Sequence, residues 1–141
     1  MSNKTLLANK ATWKIVYKTT YEIGNLRKVY IGQDLANWPS YAGSPKSIDE
    51  IQEDRVRENA ELTYKIFRET LWGGQNVTGR EVDFIESAFI LKYNSINKGY
   101  NQKLSMSRVE MKKHIKDNGK LPEGIYLEVL DWTDIANLIV Q

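Results

Sequence analysis

The chain has 141 residues, of which 41% are hydrophobic and 27% charged, enough for one ordinary globular domain with a real core. It has no cysteine and a single histidine, His114, which excludes a disulfide scaffold and a thiolate metal site and argues against a histidine metal cluster or a serine–histidine–aspartate triad. Any metal is left to carboxylates and other oxygens, which select a hard ion such as magnesium, and a formal net charge of +2 permits an acidic partner without requiring one.

Positions 1–11 are polar and lack an apolar stretch of signal-peptide length. No later run is long enough to span a bilayer, so a cytoplasmic, intracellular protein is expected. Positions 13–20, β-branched and aromatic, predict a strand. Gly24-Asn25 signals a turn, and positions 27–32 predict a second strand, so the two make a β-hairpin. A loop follows over 33–46, with Pro39, Gly43, Ser44 and Pro45. The charged stretch 48–61, with Ile48, Ile51 and Val56 as sparse apolar points, predicts a helix, and 62–72 predicts a third strand ended by Gly73-Gly74. Thr78 and Glu81 have the spacing of a capping box. The helix they open carries Val82, Ile85, Phe89 and Tyr93 on one face and is expected to stop before Asn97-Lys98-Gly99. Ser107 and Glu110 repeat the box for a basic helix to about Asp117, ended by Asn118-Gly119. Positions 124–130 hold a short strand, and Asp131 caps a last helix over 132–140.

This order predicts an α/β (α+β) domain: a small, mainly antiparallel three-stranded sheet flanked by helices over residues 1–103, with 104–141 a C-terminal helical extension of the same domain. Ile15-Val16-Tyr17 and Tyr30-Ile31-Gly32 stand on the two strands of the hairpin. Glu86 falls mid-helix at the border of the apolar face, and Gly99-Tyr100-Asn101 follows that helix. These four pieces, in this order, resemble the motifs of the GIY-YIG nuclease family, which includes restriction enzymes, homing nucleases and repair nucleases. The second motif matches letter for letter. The first has Ile15 where the family has glycine, and the spacing from Tyr17 to Tyr30 is slightly longer than usual. Tyr41-Ala42-Gly43-Ser44 resembles a variant loop of phage-type members.

The resemblance implies a divalent-metal-dependent DNA endonuclease that hydrolyses phosphodiester bonds with Mg2+ or Mn2+. It implies Tyr17 as base or proton relay, Tyr30 as a contact to the phosphate or the nucleophile, Glu86 as the metal ligand and Asn101 as an orienting residue. It also implies a cation after the second motif, here Arg55, with Arg57 or Lys46 as alternatives. The chemistry accords with such a set. The attacking water must lose a proton while the phosphate and leaving oxygen gain negative charge. A tyrosine titrates at about pH 10, so one acting as base needs a cation or metal-bound water beside it.

Taken singly, these residues have plainer roles. Tyr17 and Tyr30 are cross-hairpin packing residues, Glu86 is a cleft-rim or solvent-exposed carboxylate, and Asn101 is a turn residue. The alternative function is a GIY-YIG-like nucleic-acid-binding protein that is catalytically weak or inactive, which the missing glycine and the unsettled arginine favour. For DNA binding, Arg108, Lys112 and Lys116 recur every four residues and form a stripe able to meet successive phosphates, joined by Lys103, Lys113 and Lys120; the plainer reading is a solvated helix face. Lys46, Arg57, Arg27 and Lys28 are further contacts, and Trp38 and Tyr41 either stack on a base or anchor their loop. His114 reads as a surface or packing residue. The apolar end, Ile135, Leu138, Ile139 and Val140, belongs to the core or, in a homodimer that cuts both strands, to the subunit interface.

Overall fold

The structure, a computed structural model, describes residues 13–34, 48–59 and 64–140. Strands β1 (Lys14–Ile23) and β2 (Leu26–Asp34) form the antiparallel hairpin; β1 runs further towards the turn than the sequence predicted, and β2 is longer at both ends. Gly24 makes the two-residue connection with a φ of 59°, a conformation L side chains rarely adopt. The N–H of Asn25 donates to the Glu58 carboxylate at 3.0 Å, just past helix α1 (Ile48–Arg57), so the turn docks on the end of that helix.

Strand β3 (Lys65–Gly74) pairs antiparallel with β1 on its other side, and β4 (Ile125–Tyr126) adds two residues against Trp72 and Gly73. The sheet is therefore four-stranded, in the order β2-β1-β3-β4, and the expectation of three strands is corrected. Two paired residues carry too little alternation to show, from sequence, which sheet they join. The coarse class stands: an α+β arrangement of an antiparallel sheet with helices.

Alternation along the strands gives the sheet two apolar faces. Val16, Ile31, Leu71 and Trp72 pack against Val82, Ile85 and Phe89 of helix α2 (Gly79–Tyr93). The same core takes in Met106, Met111 of helix α4 (Arg108–Asn118), and Ile135 and Ile139 of helix α5 (Trp132–Ile139). At roughly 1.5–3 kcal/mol per large side chain buried, the residues after 104 are a principal source of stability for the hairpin. The other face places Tyr21 and Ile23 against Ile51 of α1 and Tyr100.

Local signals set the helix ends. At α2 both bonds of the Thr78–Glu81 capping box form. This helix stops at Tyr93, short of the end expected before Asn97-Lys98-Gly99. Asn94 takes a left-handed conformation, φ 51°, and its N–H closes on the last carbonyls before a single turn, α3 (Ser95–Lys98). At α4 the Ser107 hydroxyl accepts from the Glu110 N–H while the Glu110 carboxylate pairs with Arg80, and Gly119, φ 67°, ends the helix. Asp131 caps α5 by accepting from the Thr133 N–H at 2.7 Å. Among the described residues no helix is long and apolar enough to cross a membrane. Lys46, Trp38 and Tyr41 lie outside the described residues.

Candidate active site

β2 is an outer strand of the sheet, so its outward N–H and C=O groups need partners. The segment after α3 supplies them. The Tyr100 N–H donates to the Val29 carbonyl at 2.9 Å. The Asn101 side chain accepts from the Ile31 N–H at 2.8 Å and donates to the Ile31 carbonyl at 2.9 Å, as the peptide group of a neighbouring strand would. Gly99 is what lets the backbone come so close, because a Cβ there would strike the Val29 carbonyl. Beyond the edge, the Tyr100 hydroxyl donates to the buried Asp54 carboxylate at 2.7 Å, and its ring stands edge-on to Tyr21 at 5.2 Å. Asp54 also receives Lys28 at 2.8 Å and Arg57, which hold its carboxyl below the usual range against the opposing effect of burial. Helix α1, strand β2 and the segment after α3 are thus tied at one carboxylate.

Over this edge lies a cavity of about 350 Å³ whose lining includes Tyr30, Glu86, Tyr100, Asn101, Lys103 and Ser105. Helix α2 packs on the sheet face opposite Tyr17 and Tyr30. Glu86 and Tyr30 line one cavity because both reach the β2 edge from their own sides. Glu86 is only 9% exposed. Burial pushes its carboxyl up to about 7; bonds from Ser105 and Gln33 oppose the rise, and the charge of Asp83, one turn earlier on α2, adds to it. The Gln33 amide also donates to Asp83 at 2.6 Å, so one side chain spans both acids.

No basic side chain among the described residues pairs with Glu86. A buried carboxylate without a balancing charge is costly, and a hard cation bound to its oxygens removes that cost. Among the described residues no group of three or more His, Cys, Asp or Glu is assembled to hold an ion. Glu86 would offer a hard ion one carboxylate and leave the remaining positions to water and phosphate oxygens.

Tyr17 is 1% exposed and stands behind Tyr30 rather than in the lining of the cavity. It pairs with Gly32, where a Cβ would collide with its hydroxyl, so the glycine of the second motif is the notch that seats the phenol of the first. The rings of Tyr17 and Tyr30 are 6.4 Å apart at 52°. The Arg68 guanidinium lies 4.7 Å from the Tyr17 ring centroid and donates to Asp34 at 3.1 Å. Gly32→Ala should displace Tyr17 and cost about 1–3 kcal/mol, read as a lower denaturation midpoint in urea; an unchanged midpoint would show that the notch is not needed.

The structure thus brings together Tyr30, Glu86 and Asn101 at the cavity, with Tyr17 one layer behind. Of the proposed cations, Arg55 and Arg57 are not in the cavity lining: Arg55 covers the ring of Tyr64 at 4.1 Å and Arg57 pairs with Asp54. The basic groups that occupy these places are Arg68, on Tyr17, and Lys103, at the cavity. Sequence reading missed Arg68 because it comes beside Thr19 only through the β1–β3 register. It also missed Asp83, although an Asp three residues before Glu86 on a helix signals a shared face. On α4, Lys112 and Lys116 are exposed, but the Arg108 guanidinium donates to the carbonyls of Leu138 at 2.7 Å and Ile139 at 3.2 Å, capping α5 rather than heading a stripe. His114 is buried against Phe84, ring centroids 4.5 Å apart, as a packing residue. Comparison of the chain with protein-family models, curated proteins and solved structures returned no match.

Proposed function

We propose that this chain is a divalent-metal-dependent DNA endonuclease of the GIY-YIG type, akin to restriction, homing or phage nucleases. The observation that carries the reading is the Glu86 carboxylate: buried, without a basic partner among the described residues, and sharing one cleft with Tyr30, Asn101 and Lys103. The order of hairpin, helix, strand and helix, with the motif residues at adjoining positions of it, adds support.

In this mechanism Glu86 would hold Mg2+ or Mn2+, with the negative charge of Asp83 beside it, and the ion would supply Lewis-acid polarisation of a phosphoryl oxygen and charge stabilisation for the leaving oxygen. The Tyr30 hydroxyl orients the scissile phosphate or the attacking water, and the Lys103 ammonium pairs with phosphate charge. Asn101 fixes the strand that carries Tyr30 through its two bonds to Ile31. Tyr17, outside the cavity lining, would take the water's proton by relay as its phenolate, and Arg68 supplies the positive neighbour that favours that form. Lys112 and Lys116 add sequence-independent phosphate contacts.

One observation favours a second reading, a nucleic-acid-binding protein without turnover: Tyr17 is buried and outside the cavity lining. Nicking of supercoiled plasmid in magnesium or manganese separates the two. Glu86→Ala should lose at least about a hundredfold in cleavage while DNA binding is kept, and Tyr17→Phe should lose about 10²–10⁴-fold without loss of fold. A wild type that binds DNA yet nicks in neither metal supports the second reading. A fully active Glu86→Ala removes that residue from the mechanism.

A further inference from the structure

β4 covers β3 only at Trp72 and Gly73, and the N–H groups of Leu127 and Glu128 close on the Leu71 carbonyl. Among the described residues no strand pairs with the outer edge of β3 over Lys65–Thr70, and Ile66 and Phe67 on it are 43% and 44% exposed. An open edge is a template for strand addition. The charge pattern says which strand fits.

On the face that carries Phe67, the register places Arg27, Glu22 and Lys65 in one cross-strand row, and Ile31, Lys18 and Glu69 in another, with Phe67 between them. We infer that this edge pairs antiparallel with the same edge of a second copy, about a two-fold axis through Phe67. That register sets Lys65 against the partner's Glu69, twice over, with the two Phe67 side chains opposite each other. The joined row then alternates in sign without a break: Arg27, Glu22, Lys65, the partner's Glu69, the partner's Lys18. Because the same patch serves both copies, the assembly closes as a dimer. Opposite-charge cross-strand pairs contribute favourably and like charges directly opposite are destabilising, so the sign pattern controls association. Five paired residues make a small interface, and the dimer is therefore concentration-dependent.

The test is sedimentation velocity over about a hundredfold range of protein concentration, chosen to span the weak end of protein association. Wild type should pass from monomer to dimer. Lys65→Glu alone sets Glu against Glu across the axis, and Glu69→Lys alone sets Lys against Lys; each should weaken association at least about tenfold, with circular dichroism confirming the fold. Mixed one to one, the two variants are fully complementary and should associate again, although neither does so alone. A wild type that stays monomeric, a mixture that fails to associate, or assembly beyond the dimer would each overturn the inference.

Discussion

Glu86→Gln is expected to stabilise the fold by roughly 3 kcal/mol at pH 8 while abolishing metal-dependent cleavage. The folded protein holds this carboxyl at about 7 against an ordinary 4.5, so the folded state binds the proton more tightly than the unfolded one. Stability from this group is therefore full below the unfolded value, falls as pH rises from 4.5 towards 7, and stays lost above it, where a charge must be kept buried. Glutamine keeps the oxygen that accepts from Ser105 and has no charge to bury. Thermal unfolding of the two proteins from pH 4 to pH 8 should show curves that meet at the acid end and separate towards neutrality. Millimolar Mg2+ at pH 8 should raise the wild-type midpoint and leave the variant unmoved, because only an ion that binds the folded state shifts that equilibrium. A variant no more stable than wild type at pH 8 would mean that Glu86 is not an uncompensated charge, and the metal assignment would lose its physical basis.

Asn101→Ala is expected to cost roughly 2–4 kcal/mol, a large share of the stability of a domain this size. The substitution removes two hydrogen bonds and leaves both the N–H and the C=O of Ile31 without their partner at a buried edge. Asn101→Asp should be nearly as harmful, since it keeps the acceptor for Ile31 but turns a carboxylate oxygen towards a carbonyl. Urea titration measures both. A loss below about 0.5 kcal/mol would show that water or a shifted strand takes over the bonds. Because Asn101 acts through the strand that carries Tyr30, any cleavage activity should fall with the folded fraction rather than independently of it.

What could be read from the sequence was local. Thr78, Ser107, Asp131 and Gly119 announce helix ends through bonds to residues within one turn, and Gly24-Asn25 announces its hairpin in the same way. Glu86, Tyr30 and Asn101 were found as motif members, and they do lie around one cavity. What could not be read depends on pairing between distant segments. The position of Arg68 on Tyr17 follows from the β1–β3 register, including its irregularity at Val16 and Tyr17. Arg108 looks like one of three equivalent basic residues until α5 is folded against it. The apolar spacing of α2 does end at Tyr93, but Asn97-Lys98-Gly99 is the more conspicuous stop signal, while the backbone turns at Asn94. Lys103 was visible as a charge, but its place at the cavity depends on how the segment after α3 is laid along β2.

The bonds between Asn101 and Ile31 join residues 70 apart in the chain. A ribosome making this protein must therefore release the hairpin, α1, β3 and α2 before the strand bearing Tyr30 can be clamped, and the core that supports the clamp awaits Ile135 and Ile139. Nascent or truncated chains would hold Tyr30 and Glu86 without the cleft that they line together. On the proposed reading this delay would act as a safeguard, since only finished molecules would carry the complete cleft.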